Sequence, residues 1–544
     1  MAGSEEEGVG VRAAKILYPL FVGQGFGVIF TALTFIVVAR LLGPSQYGIY
    51  TFAFGFATLV NGFLAFGVGA YFSTALAKLA YKKDSQGILK ALTSGYVISG
   101  SISLLLTLFG IGISGYLTTF YTHITISPVI LMVAAGSIIF NVLNTLAVSA
   151  LIGFSRTGLA SIVSVTVDIL QLALSIVLAI KFGVIGAIAA MLIGYLIGAI
   201  IGAYFVIRVL AQSFSLSAYI PSKSDLREVF GVVWPLAATN FLNTGMQNFS
   251  ILFLGLYIGT ASLGNYGAAS KGLALLAMLY SAFGSGLLPI FTTAKAMDKG
   301  DGINKGDGIN STYNRIIHFA LIPMLPLIIF VGVMAAPGMN LLVGGRYVTA
   351  PFFLTLIALG TMIGLFGTYI SELLISGNHT KSVMMVNFVS AVFQLIFMIL
   401  LVPKFQVIGA IFTIFFLGNA IEAIFFARDA RTHFGIKLET KKLLLLYITN
   451  LVLGAILLIV YTVINDFILL QHIPLVYLTE LVITGIVAVA IYPALLILFR
   501  AMDEKDIIAM RHATNKLGRV SKIFDGFFGY SQYLYGRLCG LVTK

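Results

Sequence analysis

The sequence predicts an all-α integral membrane protein of about fourteen transmembrane helices, two parallel six-helix repeats followed by two C-terminal helices. Three observations lead there: an apolar composition, hydrophobic runs of bilayer length, and an internal repeat. The chain has 544 residues, of which 59% are hydrophobic and only 10% charged. Mean hydropathy is +1.02. No soluble core needs that balance, so much of the surface must face lipid. The net charge of +13 points to topology and anionic headgroups rather than nucleic acid, because the basic residues lie mainly between the hydrophobic runs. Cys539 is the only cysteine, which leaves no internal disulfide and no thiolate metal site.

A helix rising about 1.5 Å per residue needs roughly 20 apolar residues to cross the hydrocarbon core. Such runs fall near residues 16–38, 47–70, 91–116, 126–150, 159–180, 184–207, 231–257, 266–293, 315–336, 350–375, 383–403, 407–427, 443–465 and 474–499. The opening MAGSEEEGVGVRAAK is acidic and lacks a basic region ahead of a cleavage site, so the first run is expected to act as its own insertion signal. With the N-terminus in the cytoplasm, the outer loops hold only Arg40, Lys181, Arg346 and Lys404. Lys271 lies within a span, and the rest of the 33 Lys and Arg fall on the inner side. That asymmetry predicts a multi-pass protein of the cell membrane with both termini cytoplasmic.

The segment Leu151–Ile188 matches Leu374–Ile411 without a gap: Gln171 falls on Gln394, and KFGVIGAI at Lys181–Ile188 falls on KFQVIGAI at Lys404–Ile411. The earlier parts match more weakly, YPL at Tyr18–Leu20 with WPL at Trp234–Leu236 and Tyr47-Gly48 with Tyr266-Gly267. The chain therefore divides into an N-terminal bundle over residues 1–210, a cytoplasmic linker over 211–230 and a second bundle over 231–427. Two additional helices occupy residues 428–500, and a basic amphipathic tail follows over 501–544. Parallel repeats about an axis along the membrane normal are a transporter architecture.

The segments between spans carry little chemistry. KGDGIN occurs in tandem at Lys299–Asn304 and Lys305–Asn310, but lacks the oxygen-ligand spacing and closing Glu of a calcium loop and is expected to be a solvated loop. The linker mixes Lys223, Asp225 and Arg227 with apolar residues and is expected along the inner surface. The tail interleaves Arg511, Lys516, Arg519 and Lys522 with Ile, Phe and Tyr, a pattern suited to anionic lipid.

Within the spans, Lys271 stands about five residues inside the outer end of the eighth run, where an ammonium costs at least a few kcal/mol unless it meets water or an anion. It either snorkels to the interface or faces an anionic substrate, and the second reading is preferred. Helical periodicity places Gln24, Gly27, Thr31 and Thr34 on one face of the first span, and Asn240, Asn243, Thr244 and Gln247 on one face of the seventh. Under the repeat, Gln24 falls on Asn240 and Thr31 on Gln247, a matched polar stripe suited to helix glue or to sugar hydroxyls. Asn61 and Asn144 read as packing partners. The acids Asp168, Glu372 and Glu422 are coupling candidates, since a carboxylate in hydrocarbon is a functional candidate by default. Glu372 and Glu422 have simpler partners in Lys381 and Arg428, whereas Asp168 has none nearby in sequence.

Enzymatic motifs are missing. The six histidines are scattered without paired ligand spacing, and there is no P-loop. Membrane glycosyltransferases expose acids on an early outer loop, and here that loop reads LLGPSQYG. The expectation is a transporter that is not an enzyme and has no metal or cofactor, with coupling to H+ or Na+ left open by the acids.

At Arg40–Tyr50, RLLGPSQYGIY resembles the oligosaccharide flippase (Wzx-like, polysaccharide biosynthesis) family, in which a basic residue precedes LGP and then YG. YGAASK followed by GLLPIFTTAK, in the eighth span, adds to the resemblance. The family belongs to the superfamily that includes multidrug extruders and lipid II flippases. The resemblance implies alternating access, with a polyprenyl-(pyro)phosphate-linked oligosaccharide carried from the inner to the outer leaflet for surface polysaccharide or glycoprotein synthesis. It implies phosphate binding at Lys271, with Arg40 as second candidate, and sugar contacts from the polar stripe. The partners it implies are that lipid-linked substrate, membrane lipids, and a polysaccharide polymerase or glycosyltransferases. The sequence departs from lipid II flippases in lacking multiple arginines in its first two spans, which implies a different lipid-linked saccharide or looser phosphate recognition. The alternative is a cation-coupled multidrug extruder of the same superfamily, which needs central acids such as Asp168 and has no need of Lys271.

Overall fold

A computed structural model describes residues 9–213, 219–274, 307–377, 379–467, 474–503, 506–508 and 529–537. Within them it describes all side chains except those of 9–24, 60–66, 213, 235–236, 238–240, 242–244, 307–312, 467 and 474. Every regular element among the described residues is helical. In order they are α1 (Val9–Tyr81), α2 (Ser85–Phe120), α3 (Pro128–Gly153), α4 (Thr157–Ser213) and α5 (Lys223–Leu254), then α6 over 260–274. There follow α7 (Asp307–Val333), α8 (Ala335–Val343), α9 (Ala350–Ser376), α10 (Thr380–Ile411), a π-helical stretch (Phe412–Gly418) and α11 (Asn419–Phe434). α12 (Thr440–Phe467) and α13 (Pro474–Leu498) close the membrane part. Nine helical runs among the described residues are long and apolar enough to cross a membrane, so the fold is that of a multi-pass helical protein.

Three of the longest helices break where the sequence divides two spans. α1 breaks at Gly43 (φ 69°, ψ 172°), so LLGPSQYG is a kink inside one helical run rather than a free loop. α4 breaks at Gly183 (φ 58°, ψ −133°) and α10 at Gln406 (φ 50°, ψ −124°). These two residues occupy the same place in KFGVIGAI and KFQVIGAI. The similarity continues one turn on. A methyl group on Gly186 would stand 1.9 Å from the Leu178 carbonyl oxygen, and one on Gly409 would stand 2.7 Å from that of Leu401. The repeated octapeptide thus encodes the same backbone reversal twice.

Local chemistry sets the helix ends. Asp84 caps α2 by accepting from the Gly87 N–H at 2.9 Å. Ser222 and Asp225 form a reciprocal capping box that starts α5. α11 ends on Gly435 in the left-handed region. The linker is therefore largely helix ends, with α4 reaching Ser213 and α5 beginning at Lys223. The second KGDGIN copy enters α7 at Asp307, where the sequence reading expects a loop. The first copy and residues 509–528 of the basic tail lie outside the described residues.

Backbone packing groups residues 1–271 with 391–410 in one compact unit, and residues 272–390 with 411–544 in another. In the first unit, Val68, Phe72 and Leu76 of α1 meet Val142, Leu146 and Ala150 of α3 and Val163 of α4 in a fully buried core. Leu105, Phe109 and Tyr116 on α2 are exposed, as lipid-facing side chains are. In the second unit α9 packs on the π-helical stretch and α11: a methyl on Gly360 would meet the Phe415 backbone, and the Asn419 side-chain amide donates to the Gly360 carbonyl at 3.0 Å.

Candidate substrate and coupling sites

Lys271 is positioned by a close crossing of α6 and the second arm of α1. A methyl on Gly48 would stand 1.8 Å from the Thr260 carbonyl oxygen, and one on Gly264 would stand 1.9 Å from that of Pro44. The two backbones touch, which only glycine permits at these positions. The Ser45 and Thr260 hydroxyls hydrogen-bond at 2.8 Å beside this contact. One turn further, Gly267 packs on Thr51; another turn on, the Lys271 ammonium lies 4.4 Å from the centroid of the Phe54 ring. The first motif of the resemblance lies at this crossing through Pro44, Ser45 and Gly48, and YGAASK lies along it through Gly267 and Lys271, while GLLPIFTTAK falls outside the described residues.

α6 begins at residue 260, earlier than the sequence reading places it, so Lys271 sits eleven residues into its helix, about 16 Å along the axis. Among the described residues no carboxylate pairs with it. A cation–π contact returns about 0.5–2 kcal/mol, less than the few kcal/mol that an ammonium in hydrocarbon costs. Phe54 stacks on Tyr50 at 6.1 Å and Tyr50 on Tyr47 at 5.6 Å, a ladder on one face of α1. Tyr195 of α4 lies near Tyr50.

Asp168 lies eleven residues into α4, in the arm before Gly183. The reversal at Gly183 brings back Tyr195, which interacts with Asp168 and lies within hydrogen-bonding reach of Gln171. Gln171 packs on Gly194, and its side-chain amide donates to the Met191 carbonyl at 3.5 Å. On its other side Asp168 touches α1: a methyl on Gly27 would stand 3.0 Å from Oδ2. The structure therefore brings Asp168 to the face of α1 that the sequence marks as polar. The second repeat has Ala391 at the corresponding position, so the acid belongs to one half only.

The family model for polysaccharide biosynthesis proteins matches residues 14–295. The chain belongs to that family. Among curated proteins no sequence match is found. In structure this family member is similar to a lipid II flippase MurJ in an inward closed conformation, at TM-score 0.67 and 15% identity over 87% of this chain and 98% of that one. It is also similar to an inward-facing multidrug resistance MATE transporter of the MOP superfamily, at TM-score 0.60 and 17% identity over 75% of this chain and 94% of that one. A MOP superfamily transporter from Pyrococcus furiosus gives TM-score 0.50 and 16% identity over 78% and 96%. The fold is the one these solved flippase and transporter structures share.

The remaining candidates of this polysaccharide biosynthesis protein are dispersed. Arg40 and Thr31 are exposed on the first arm of α1, and the Thr34 hydroxyl donates to Phe30 of its own helix at 2.8 Å. Gln247 is exposed; its neighbour Asn248 accepts from the Thr58 hydroxyl at 2.8 Å. The side chains of Gln24, Asn240, Asn243, Thr244 and Asn61 lie outside the described residues. Asn144 packs against Gly198. In the second unit Glu422 lies within hydrogen-bonding reach of Ser390, close after the π-helical stretch. Among the described residues no ion pair joins Glu372 or Glu422 to Lys381 or Arg428, so the simpler interfacial pairing is not made.

Three features escaped the sequence. Phe54 and Tyr195 read as ordinary apolar helix residues, and only the folded arms show what they touch. The histidines are not all scattered: His379 and His433 stack at 4.0 Å across the ends of α10 and α11. Glu480 of α13 is a further acid within a span, visible in the sequence and overlooked there.

A polar network ties α2 to the start of α5. The Lys90 ammonium contacts Asp225 and Glu228, each at 2.9 Å. Asp225 also accepts from the Tyr219 hydroxyl at 2.6 Å and the Ser222 N–H at 2.9 Å. The Tyr219 and Ser222 hydrogen bonds, followed by Lys90, hold the Asp225 carboxyl well below the usual carboxylate range. The same hydrogen bond, with burial second, raises the Tyr219 hydroxyl above its ordinary value.

Proposed function

We propose that this protein moves a polyprenyl-(pyro)phosphate-linked oligosaccharide from the inner to the outer leaflet by alternating access, for assembly of surface polysaccharide or glycoprotein. The observation that carries the proposal is Lys271, an ammonium deep in a helix with an aromatic ring as its contact and no carboxylate pair among the described residues. Such a cation suits a phosphate group that arrives and leaves. Membership of the polysaccharide biosynthesis family and likeness to the structure of a lipid II flippase support the same reading. A glycan headgroup cannot cross hydrocarbon unaided, because each unpaired polar group costs several kcal/mol there.

In this proposal Lys271 binds the phosphate and Arg40 assists at the outer end. Gln24, Thr31, Asn240, Asn243 and Gln247 meet the sugars. Asp168 is the first candidate for coupling to H+ or Na+, with Glu422 and Glu372 behind it, and no metal or cofactor takes part. Both termini face the cytoplasm; glycosyltransferases supply the glycan at the inner leaflet, and a polysaccharide polymerase or glycosyltransferase takes it up at the outer one.

Asp168 against Gly27 favours one second reading, a cation-coupled multidrug extruder. Complementation of cells lacking their own glycan flippase separates the two, with wild type, Lys271→Ala and Asp168→Ala at matched expression. Restored surface glycan that is lost with Lys271→Ala supports the flippase. Drug resistance without glycan export, lost with Asp168→Ala alone, supports the extruder.

A further inference from the structure

The two helices after the repeats contain a polar site that the flippase reading does not use. Glu480 of α13 is 2% exposed, and Thr484, one turn on, is fully buried. Residues four apart share a helix face, so carboxylate and hydroxyl are neighbours. Glu480 Oε2 and Thr484 Oγ1 are both buried without a hydrogen-bond partner.

The surroundings offer little to compensate them. α13 packs on α12, α7 and α8. From α12, Leu457 is fully buried and Tyr461 interacts electrostatically with Glu480. Gly454 of α12 lies against Ile329 of α7, and Gly485 of α13 against Phe330. α8, with the sequence AAPGMNLLV, carries no titratable group. On α13 itself Tyr477 is the nearby titratable side chain. Arg315 of α7 and Lys441 and Lys442 of α12 sit at the other end, where Lys442 contacts Asp503 and Asp506, whereas Asp466, exposed in the last turn of α12, is a second carboxylate at the same end as Glu480. Among the described residues, then, no cation reaches Glu480.

A carboxylate in such a place costs several kcal/mol unless a proton or a metal cation joins it. The geometry points to a site for one small monovalent cation, H+ or Na+, formed by Glu480 and Thr484 in the accessory helix pair. The inference is independent of the substrate at Lys271, because its readout is cation-dependent stability and not transport.

The test uses the full-length protein in nanodiscs of phosphatidylethanolamine and phosphatidylglycerol. Thermal midpoints are measured from pH 5 to 8 in NaCl or choline chloride at equal ionic strength, with Asp168→Asn, Glu372→Gln and Glu422→Gln combined as background so that the other coupling candidates do not contribute. A cation bound only by the folded state raises the midpoint as its concentration rises. If sodium is the ligand, the midpoint rises by several degrees in NaCl, and both Glu480→Gln and Thr484→Val remove the rise. If a proton is the ligand, the midpoint rises as pH falls, Glu480→Gln flattens the profile and Thr484→Val leaves it. Midpoints of the background protein that ignore both cations overturn the proposal, as does a Glu480→Gln protein with unchanged responses. Should Glu480→Gln fail to fold, Glu480→Asp replaces it: the cation midpoint then shifts roughly tenfold, and an unshifted midpoint overturns the site.

Discussion

Gln406 holds the backbone conformation of Gly183: φ 50°, ψ −124° against φ 58°, ψ −133°. Each residue reverses a helix at the same step of the repeated octapeptide. The region is open to glycine and strained for any residue with a Cβ. Gln406→Gly is therefore expected to stabilise by about 1 kcal/mol, strain relief of 1–3 kcal/mol less the added freedom of the unfolded chain. Gly183→Gln should destabilise by a similar amount or more. Thermal unfolding of both variants in detergent checks the pair; a destabilised Gln406→Gly would show that the glutamine side chain makes a compensating contact.

The backbone contact at Gly48 and Gly264 predicts position-dependent tolerance of alanine. Gly48→Ala and Gly264→Ala must separate α1 from α6 and should cost about 3 kcal/mol or more, above the usual range for overpacking, because rigid backbone is what blocks the methyl. Gly100→Ala and Gly112→Ala on α2 meet nothing within 4 Å and should be neutral or stabilising by roughly 0.5–1 kcal/mol. Equal thermal midpoints for all four would contradict the close crossing.

Much of this was legible in the sequence for a simple reason. Hydrophobic runs of bilayer length and a repeated octapeptide report directly on helix and reversal, so the helical fold and the break at Gly183 follow from local pattern. Lys271 and Asp168 stood out because charge in an apolar run has few explanations. Their partners did not. Phe54, Tyr195 and Gly27 acquire meaning only when helix arms fold back on one another, and a Phe in a membrane helix carries no signal of its own. The division at Gln406 was legible from the same span boundary, but not its backbone conformation, since a glutamine does not advertise a positive φ.

Hydrogen bonding at Asp225 predicts an acid-side loss of stability. Its carboxyl is held below the ordinary range in the folded protein, so the folded state favours the ionised form. That contribution is complete above about pH 4, the unfolded value, and is lost as pH falls from there toward the depressed folded value. Between pH 5 and 8 the group contributes no slope. Asp225→Asn should unfold less steeply below pH 4 while losing stability at neutral pH. A Tyr219→Phe protein should move the same way by a smaller amount, since Lys90 and the Ser222 hydrogen bonds remain. Acid titrations followed by tyrosine and tryptophan fluorescence decide this; parallel curves for wild type and Asp225→Asn would remove the group from the account.

Lys271→Met separates function from folding. An ammonium in apolar surroundings costs at least a few kcal/mol, and the Phe54 ring returns only about 0.5–2 kcal/mol. Methionine fills a similar volume without the charge, so the variant should gain about 1–3 kcal/mol and melt at a higher temperature. In the same cells it should restore no surface glycan, because the phosphate loses its cation. Lys271→Arg keeps the charge and should retain partial export, while Phe54→Leu should fold normally and weaken export through a less constrained ammonium. A Lys271→Met protein that is both less stable and inactive would mean that the lysine holds the helices together and that its loss of export is a folding effect. A stable and active one would move phosphate recognition away from α6 altogether.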